Sequence, residues 1–211
     1  MSNQTRRAHW EGVYTSKGEK EVSWYQDNPA PSLELIALTG ASRGTTIVDI
    51  GAGASRLVDH LLARNFERIT VLDVSAAALD AARARLGEAV RKVRWEVSDI
   101  TQWNPAARYD LWHDRAALHF LTEPADQSAY AGRVRHAVNT GGHVIIGTFA
   151  PDGPERCSGL PVVRHDAASL SKILGPDFQL IDARRHDHVT PWGAVQRFQF
   201  STFRRSGSKP A

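Results

Sequence analysis

The 211-residue chain is poor in cysteine and in long apolar runs. Its one cysteine, Cys157, excludes an intramolecular disulfide framework and any zinc site built from several cysteines. No metal is expected, an apolar core must hold the fold, and Cys157 reads as a small buried or loop thiol. No stretch approaches the roughly 18 apolar residues of a membrane helix, so no membrane partner is expected. The first ten residues hold Arg6 and Arg7 but lack the apolar stretch of a secretory signal, which makes cytoplasm the expected location. The net charge is only +3, and the basic residues are scattered apart from a short excess between Arg204 and Lys209. A nucleic-acid protein shows a denser basic stripe with interleaved aromatics, so nucleic acid is not an expected partner. Internal repeats are lacking too, and nothing in the sequence speaks to an oligomeric state.

What is present is an alternation of strand and helix. Residues 45–50 are β-branched and apolar, as a buried parallel strand should be, and they run directly into Gly51-Ala52-Gly53. Ser55 is the expected cap of a helix carrying Leu57, Val58, Leu61 and Leu62 at helical spacing. Residues 69–73 form a second strand, Ser75 caps a second helix, and residues 93–97 form a third strand. Residues 109–113 then give a fourth strand, 125–138 a helix, and 143–149 a fifth strand after a Gly141-Gly142 turn. Strands alternating with helices predict a parallel sheet covered on both faces. Past a loop at 151–164, a short helix at 167–174 precedes two runs, 178–183 and 196–203, expected to pair antiparallel at the sheet edge. Three segments follow: residues 1–40 as an N-terminal aromatic lid with a helix at 32–38, 41–203 as the α/β domain, and 204–211 as a disordered tail.

In an open parallel sheet, ligands bind beyond the carboxyl ends of the strands, where the strand order reverses. Asp49, Gly51 and Gly53 follow the first strand, Asp73 the second, Asp99 the third, and His113 and Asp114 the fourth. Glycines admit a ligand close to the backbone, and the next helix turns unpaired N–H groups toward it. Asp73 lies 22 positions beyond Gly51, near the roughly 20 expected of a ribose-binding acid. A dinucleotide site wants a third glycine where this chain has Arg56, which weakens an NAD reading. S-adenosylmethionine (SAM) has no pyrophosphate but carries an ammonium group, for which Asp49 is an anionic partner. Asp99 suits an adenine amino group, with Ile100 against the ring.

Val-Asp-Ile-Gly-Ala-Gly at 48–53, Leu-Asp-Val-Ser at 72–75, Ser-Asp-Ile at 98–100 and Tyr-Asp-Leu-Trp-His-Asp-Arg-Ala-Ala-Leu at 109–118 resemble successive motifs of class I SAM-dependent methyltransferases. The resemblance spans roughly residues 45–150. It implies a Rossmann-like α/β fold with a mostly parallel seven-stranded sheet, a C-terminal antiparallel hairpin and helices on both faces. It also implies that SAM is the cofactor, with Gly51 and Gly53 at its methionine portion, Asp49 at the amino group, Asp73 at the ribose, and Asp99 and Ile100 at the adenine. Val74, His113, Tyr14 and Trp24 complete the expected cofactor set. Asp-Arg-Ala-Ala-Leu is similar to a motif of thiopurine and other small-molecule methyltransferases. Trp-Glu-Gly-Val-Tyr with Ser-Trp-Tyr is similar to the N-terminus of lysine methyltransferases. A small molecule is therefore the first expected acceptor and a protein lysine the second; a SAM-binding module without activity is the reading of another class. The chain lacks an Asn/Asp-Pro-Pro-Tyr segment after the fourth strand, which argues against methylation of DNA base amines. Methyl transfer needs mainly alignment of the nucleophile. Where a base is needed, His119 and His188 are the candidates, and Asp114, Arg115 and Trp192 are the expected acceptor contacts, with Phe149 and Leu160 as apolar walls.

Overall fold

The computed structural model describes residues 2–207. In chain order the elements are α1 (Asn3–Ser16), α2 (Ala30–Leu38), β1 (Thr46–Ile50), α3 (Leu57–Ala63), β2 (Arg68–Asp73), α4 (Ala76–Leu86), β3 (Val93–Val97) and β4 (Tyr109–Arg115). They continue with α5 (Pro124–Ala137), β5 (Val138–Phe149), β6 (Arg156–Cys157), β7 (Leu160–Pro161), α6 (Ala167–Leu174), β8 (Phe178–Val189) and β9 (Val195–Arg205). Seven strands form one sheet in the order β3-β2-β1-β4-β5-β9-β8. The first five run parallel, and β9 is antiparallel to both β5 and β8. The chain reverses its direction of travel between β1 and β4, so the ligand crevice falls at the carboxyl ends of those two strands.

Side chains alternate across the central strands and split the core in two. Val48, Ile50, Trp112, Val144 and Ile146 face α5 and α6, packing with Tyr130, Val134, Leu170 and Leu174. Ile47, Leu111 and Ile145 face the opposite way, onto α2, α3 and α4 through Leu33, Ile36, Leu57, Leu61 and Leu79. Helix α2 is thus core, although the sequence reading grouped it with the lid; its Leu35 is fully buried.

Other differences have local causes. Helix α3 starts at Leu57 with Arg56 in the capping position, while Ser55 accepts the Leu57 N–H at 3.1 Å from one residue further out. The Gly141-Gly142 turn lies inside β5, where the ladder with β4 is irregular between Tyr109 and Leu111. The expected loop at 151–164 contains the small hairpin β6–β7. The final hairpin is longer than its apolar runs, because polar residues of β8 and β9 pair out to Val189↔Val195. Arg204 and Arg205, expected in a disordered tail, belong to β9. Arg204 pairs with His143, and Arg205 donates to the Arg135 carbonyl at 2.6 Å, a basic side chain satisfying the open carboxyl end of α5. The rest of that tail, from 208 on, lies outside the described residues. Among the described residues no helix is long and apolar enough to cross a membrane.

Candidate active site

One cavity opens at the carboxyl ends of the parallel strands. Its space, about 790 Å³, includes a part continuous with solvent. Asp73, at the end of β2, forms its floor. One carboxylate oxygen accepts the Gly53 N–H and the other the Ser75 N–H, each at 2.8 Å, so the acid pins the glycine turn to the start of α4. Burial without a cationic partner raises its pKa to about 6. Gly51 has φ +60°, and a methyl group there would meet the Ala117 side chain at 2.5 Å. Backbone conformation and crowding together demand glycine. Gly53 has φ +57° and lies under the Tyr14 hydroxyl, which a methyl group would meet at 2.1 Å. Gly53 itself does not line the cavity; Gly51, Val74, Asp99 and Ile100 complete this half of the wall.

The N-terminal segment forms the cover. Glu11 of α1 accepts from the Ser75 hydroxyl at 2.7 Å and from the Ala77 N–H at 3.2 Å, fastening α1 to the N-terminus of α4. Arg6 reaches Asp99 at 2.5 Å and Asp126 at 2.6 Å, while Thr101 gives Asp99 two further bonds. Asp99, expected to meet an adenine amino group, is therefore already bound on both oxygens by the protein. Trp10, Tyr14 and Trp24 line the cavity as an aromatic cluster, with ring centroids 5.6–6.4 Å apart and the Trp24 indole donating to the Tyr14 hydroxyl at 3.2 Å.

The other half has different chemistry. Arg115 donates one N–H to the Trp24 carbonyl at 2.9 Å, and its guanidinium stands 5.1 Å from the Phe198 ring centre. Its Nε and Nη2 are buried and have no partner. Burial lowers its pKa to about 10. His119 is fully buried between Phe120 and Phe149; its Nδ1 accepts the Phe149 N–H at 3.4 Å, and its Nε2 has no partner. Burial, with His165 and Arg115 nearby, lowers its pKa to about 3. Gln196 adds an unpartnered Oε1, and Cys157 a thiol that burial pushes up to about 11.

Several expected residues lie elsewhere. Asp49 and His113 line a neighbouring cavity that shares Gly51, Tyr14, Trp24 and Arg115 with the first. There His113 Nδ1 donates to Asp49 at 2.7 Å, and its Nε2 meets the Ser32 hydroxyl at 2.8 Å. Asp114 is wholly buried; it accepts the Tyr130 hydroxyl at 2.7 Å and the N–H groups of Ala117 and Leu118, so it shapes the turn after β4 and does not line the cavity. His188 is also absent from the lining: its Nε2 donates to the Ser23 carbonyl at 2.6 Å, holding the segment that presents Trp24. Trp192, at the tip of the β8–β9 hairpin, is 61% exposed and away from the cavity, as is Leu160. The sequence reading missed Arg6, Gln196 and Phe198. The last two are an i, i+2 pair on β9 that already lay inside the expected strand 196–203, so their shared face was a usable signal.

Solved structures of this fold match over nearly the whole chain. The 1,6-didemethyltoxoflavin-N1-methyltransferase of Burkholderia thailandensis is 22% identical, with 98% of this chain and 92% of that chain covered and a TM-score of 0.73. The class defined is the seven-stranded methyltransferase fold. Within it, residues 47–142 match the family described as "Methyltransferase domain". Nodulation protein S of Rhizobium tropici is 28% identical over 127 residues, 60% of this chain and 52% of that protein. Trans-aconitate 2-methyltransferase of Mycobacterium ulcerans is 33% identical over 97 residues, 46% of this chain and 35% of that protein. The chain therefore matches about half or less of the length of these relatives.

Proposed function

We propose that the protein transfers the methyl group of SAM to a nucleophilic N, O or S atom of a small molecule. The observation that carries this reading is the continuity of one cavity from Asp73, Val74 and Ile100 to Arg115, His119 and Phe198. One end suits a polar, hydroxyl-bearing cofactor and the other a separate, part-apolar molecule. The residues fit SAM on their own chemistry. Asp73 is a buried acid without a counter-charge, and hydroxyl donors facing it would stabilise its ionised form. Asp49 offers an anion beside the glycine turn, held in place by His113. When bound, SAM supplies a methyl group on a sulfonium, the electrophile of a direct displacement.

The chain's own work is alignment and exclusion of water. Trp10, Tyr14 and Trp24 would act as a lid, for which their position over the cavity and the Arg6 and Glu11 fastenings speak. His119 suits a role other than that of base. Its Nδ1 accepts a backbone N–H, so the neutral ring carries its proton on Nε2, and the low pKa keeps the ring neutral at physiological pH. It would donate a hydrogen bond to the acceptor. Relatives named for trans-aconitate, and a structural neighbour named for didemethyltoxoflavin, have small-molecule acceptors, which favours the same class here over a protein lysine. The test is transfer of labelled methyl from SAM into small-molecule extracts and, separately, into protein lysates. Label confined to protein would overturn the small-molecule reading, and no turnover with tight SAM binding would leave a binding module.

A further inference from the structure

We infer that the methyl acceptor carries a carboxylate, or an oxyanion of similar shape, seated on Arg115. This rests on the small-molecule reading and deepens it by naming the acceptor's charge.

A guanidinium has five N–H donors in a fixed planar fork. In Arg115 one bond goes to the Trp24 carbonyl, while Nε and Nη2 are buried without a partner. Arg115 forms no ion pair among the described residues; Asp49 is the carboxylate whose charge bears on it, and it is bonded to His113. A pKa lowered to about 10 still leaves the group cationic at neutral pH. A buried cation without a counter-ion is costly, and the edge formed by Nε and one terminal nitrogen is the one that takes a carboxylate through two parallel bonds.

The surroundings assign that edge to the acceptor. Arg115 lines both cavities, and of the groups beside its guanidinium Phe198 and Cys157 line only the larger one. In that cavity, His119 Nε2 is a free donor and Gln196 Oε1 a free acceptor, and Phe149 supplies an apolar wall. The occupant that satisfies all of these is a small acid with an apolar or aromatic body and one further polar substituent. A lysine side chain would bring its ammonium group toward Arg115, a like-charge approach that disfavours it.

The experiment uses the full chain saturated with S-adenosylhomocysteine, the demethylated product of SAM. Benzoate, hydroxybenzoates and acetate are titrated against their uncharged amides by calorimetry, in the wild type and in Arg115→Gln and Arg115→Lys. Thermal denaturation first checks that each variant is folded. At least one acid is expected to bind the wild type about tenfold or more tighter than its amide. That preference should fall to about threefold or less in Arg115→Gln and survive in part in Arg115→Lys, which keeps the charge but loses the fork. Affinity for S-adenosylhomocysteine should stay within about threefold throughout. Amides that bind as well as the acids would overturn the charge assignment and leave the small-molecule reading standing. Acids without an Arg115-dependent preference overturn it equally. A loss of cofactor-product affinity beyond about tenfold in both variants would move Arg115 onto the cofactor and also overturn the inference. Label from SAM appearing only in protein would remove the small-molecule reading beneath it.

Discussion

Asp73 carries two tasks with one carboxylate: it ties Gly53 to Ser75 and presents an acid to the cavity. Asp73→Ala is expected to weaken S-adenosylhomocysteine binding at least about tenfold, because donors lose a charged acceptor. Calorimetry decides, and an unchanged affinity would remove Asp73 from the cofactor. At the same scale, burial and the neighbouring Arg115 depress His188 to about 4. Its unfolded-state value is near 6.5, so below that pH the unfolded chain takes up a proton that the folded chain refuses. The stability His188 supports is therefore present above about pH 6.5 and lost as pH falls toward 4. Asp73 and Asp114, both raised to about 6, act in the opposite sense, since the folded state favours their protonated forms and loses stability as pH rises from about 4 through 6. His188→Gln keeps an N–H for the Ser23 carbonyl and leaves both acids in place. Urea denaturation should show the variant gaining about 1–2 kcal/mol relative to wild type between pH 7 and pH 5. A difference independent of pH would mean that His188 is not held neutral.

At the scale of elements, α1 stands apart from the sheet. Only Arg6 and Val13 of its residues are buried, whereas the core rests on α2 to α6. Removing residues 1–30 should leave a cooperatively folding protein and abolish methyl transfer, because Trp10, Tyr14 and Trp24 leave the cavity wall with it. Circular dichroism and turnover of labelled SAM read the two effects separately. Full activity in a folded truncation would end the lid reading. The β8–β9 hairpin has a related division of labour. Its inner end places Gln196 and Phe198 in the cavity, and its tip holds Trp192 in solvent.

For the whole molecule, binding one ligand to the native state alone must raise stability by mass action. S-adenosylhomocysteine at about 100 times its dissociation constant should add about 2.7 kcal/mol to unfolding, read as a rise in Tm, whereas NAD at the same concentration should add none. A shift with NAD and none with S-adenosylhomocysteine would reverse the cofactor assignment. The order of elements and the strand-end acids were legible in the sequence because a buried parallel strand is an apolar run, a Gly-x-Gly turn is local, and a cap needs only its own neighbours. Asp49, Gly51 and Asp73 belong to that class. What only the tertiary structure decided concerns partners distant in the chain. Arg6 meets Asp99 across 93 positions, His188 is drawn to Ser23 across 165, and Arg115 is left with two donors unpaired. Pairing across such separations depends on where whole elements dock, and no periodicity of a single segment encodes it. The same His or Arg in sequence is a clamp, a donor or an anion seat according to what the fold brings against it.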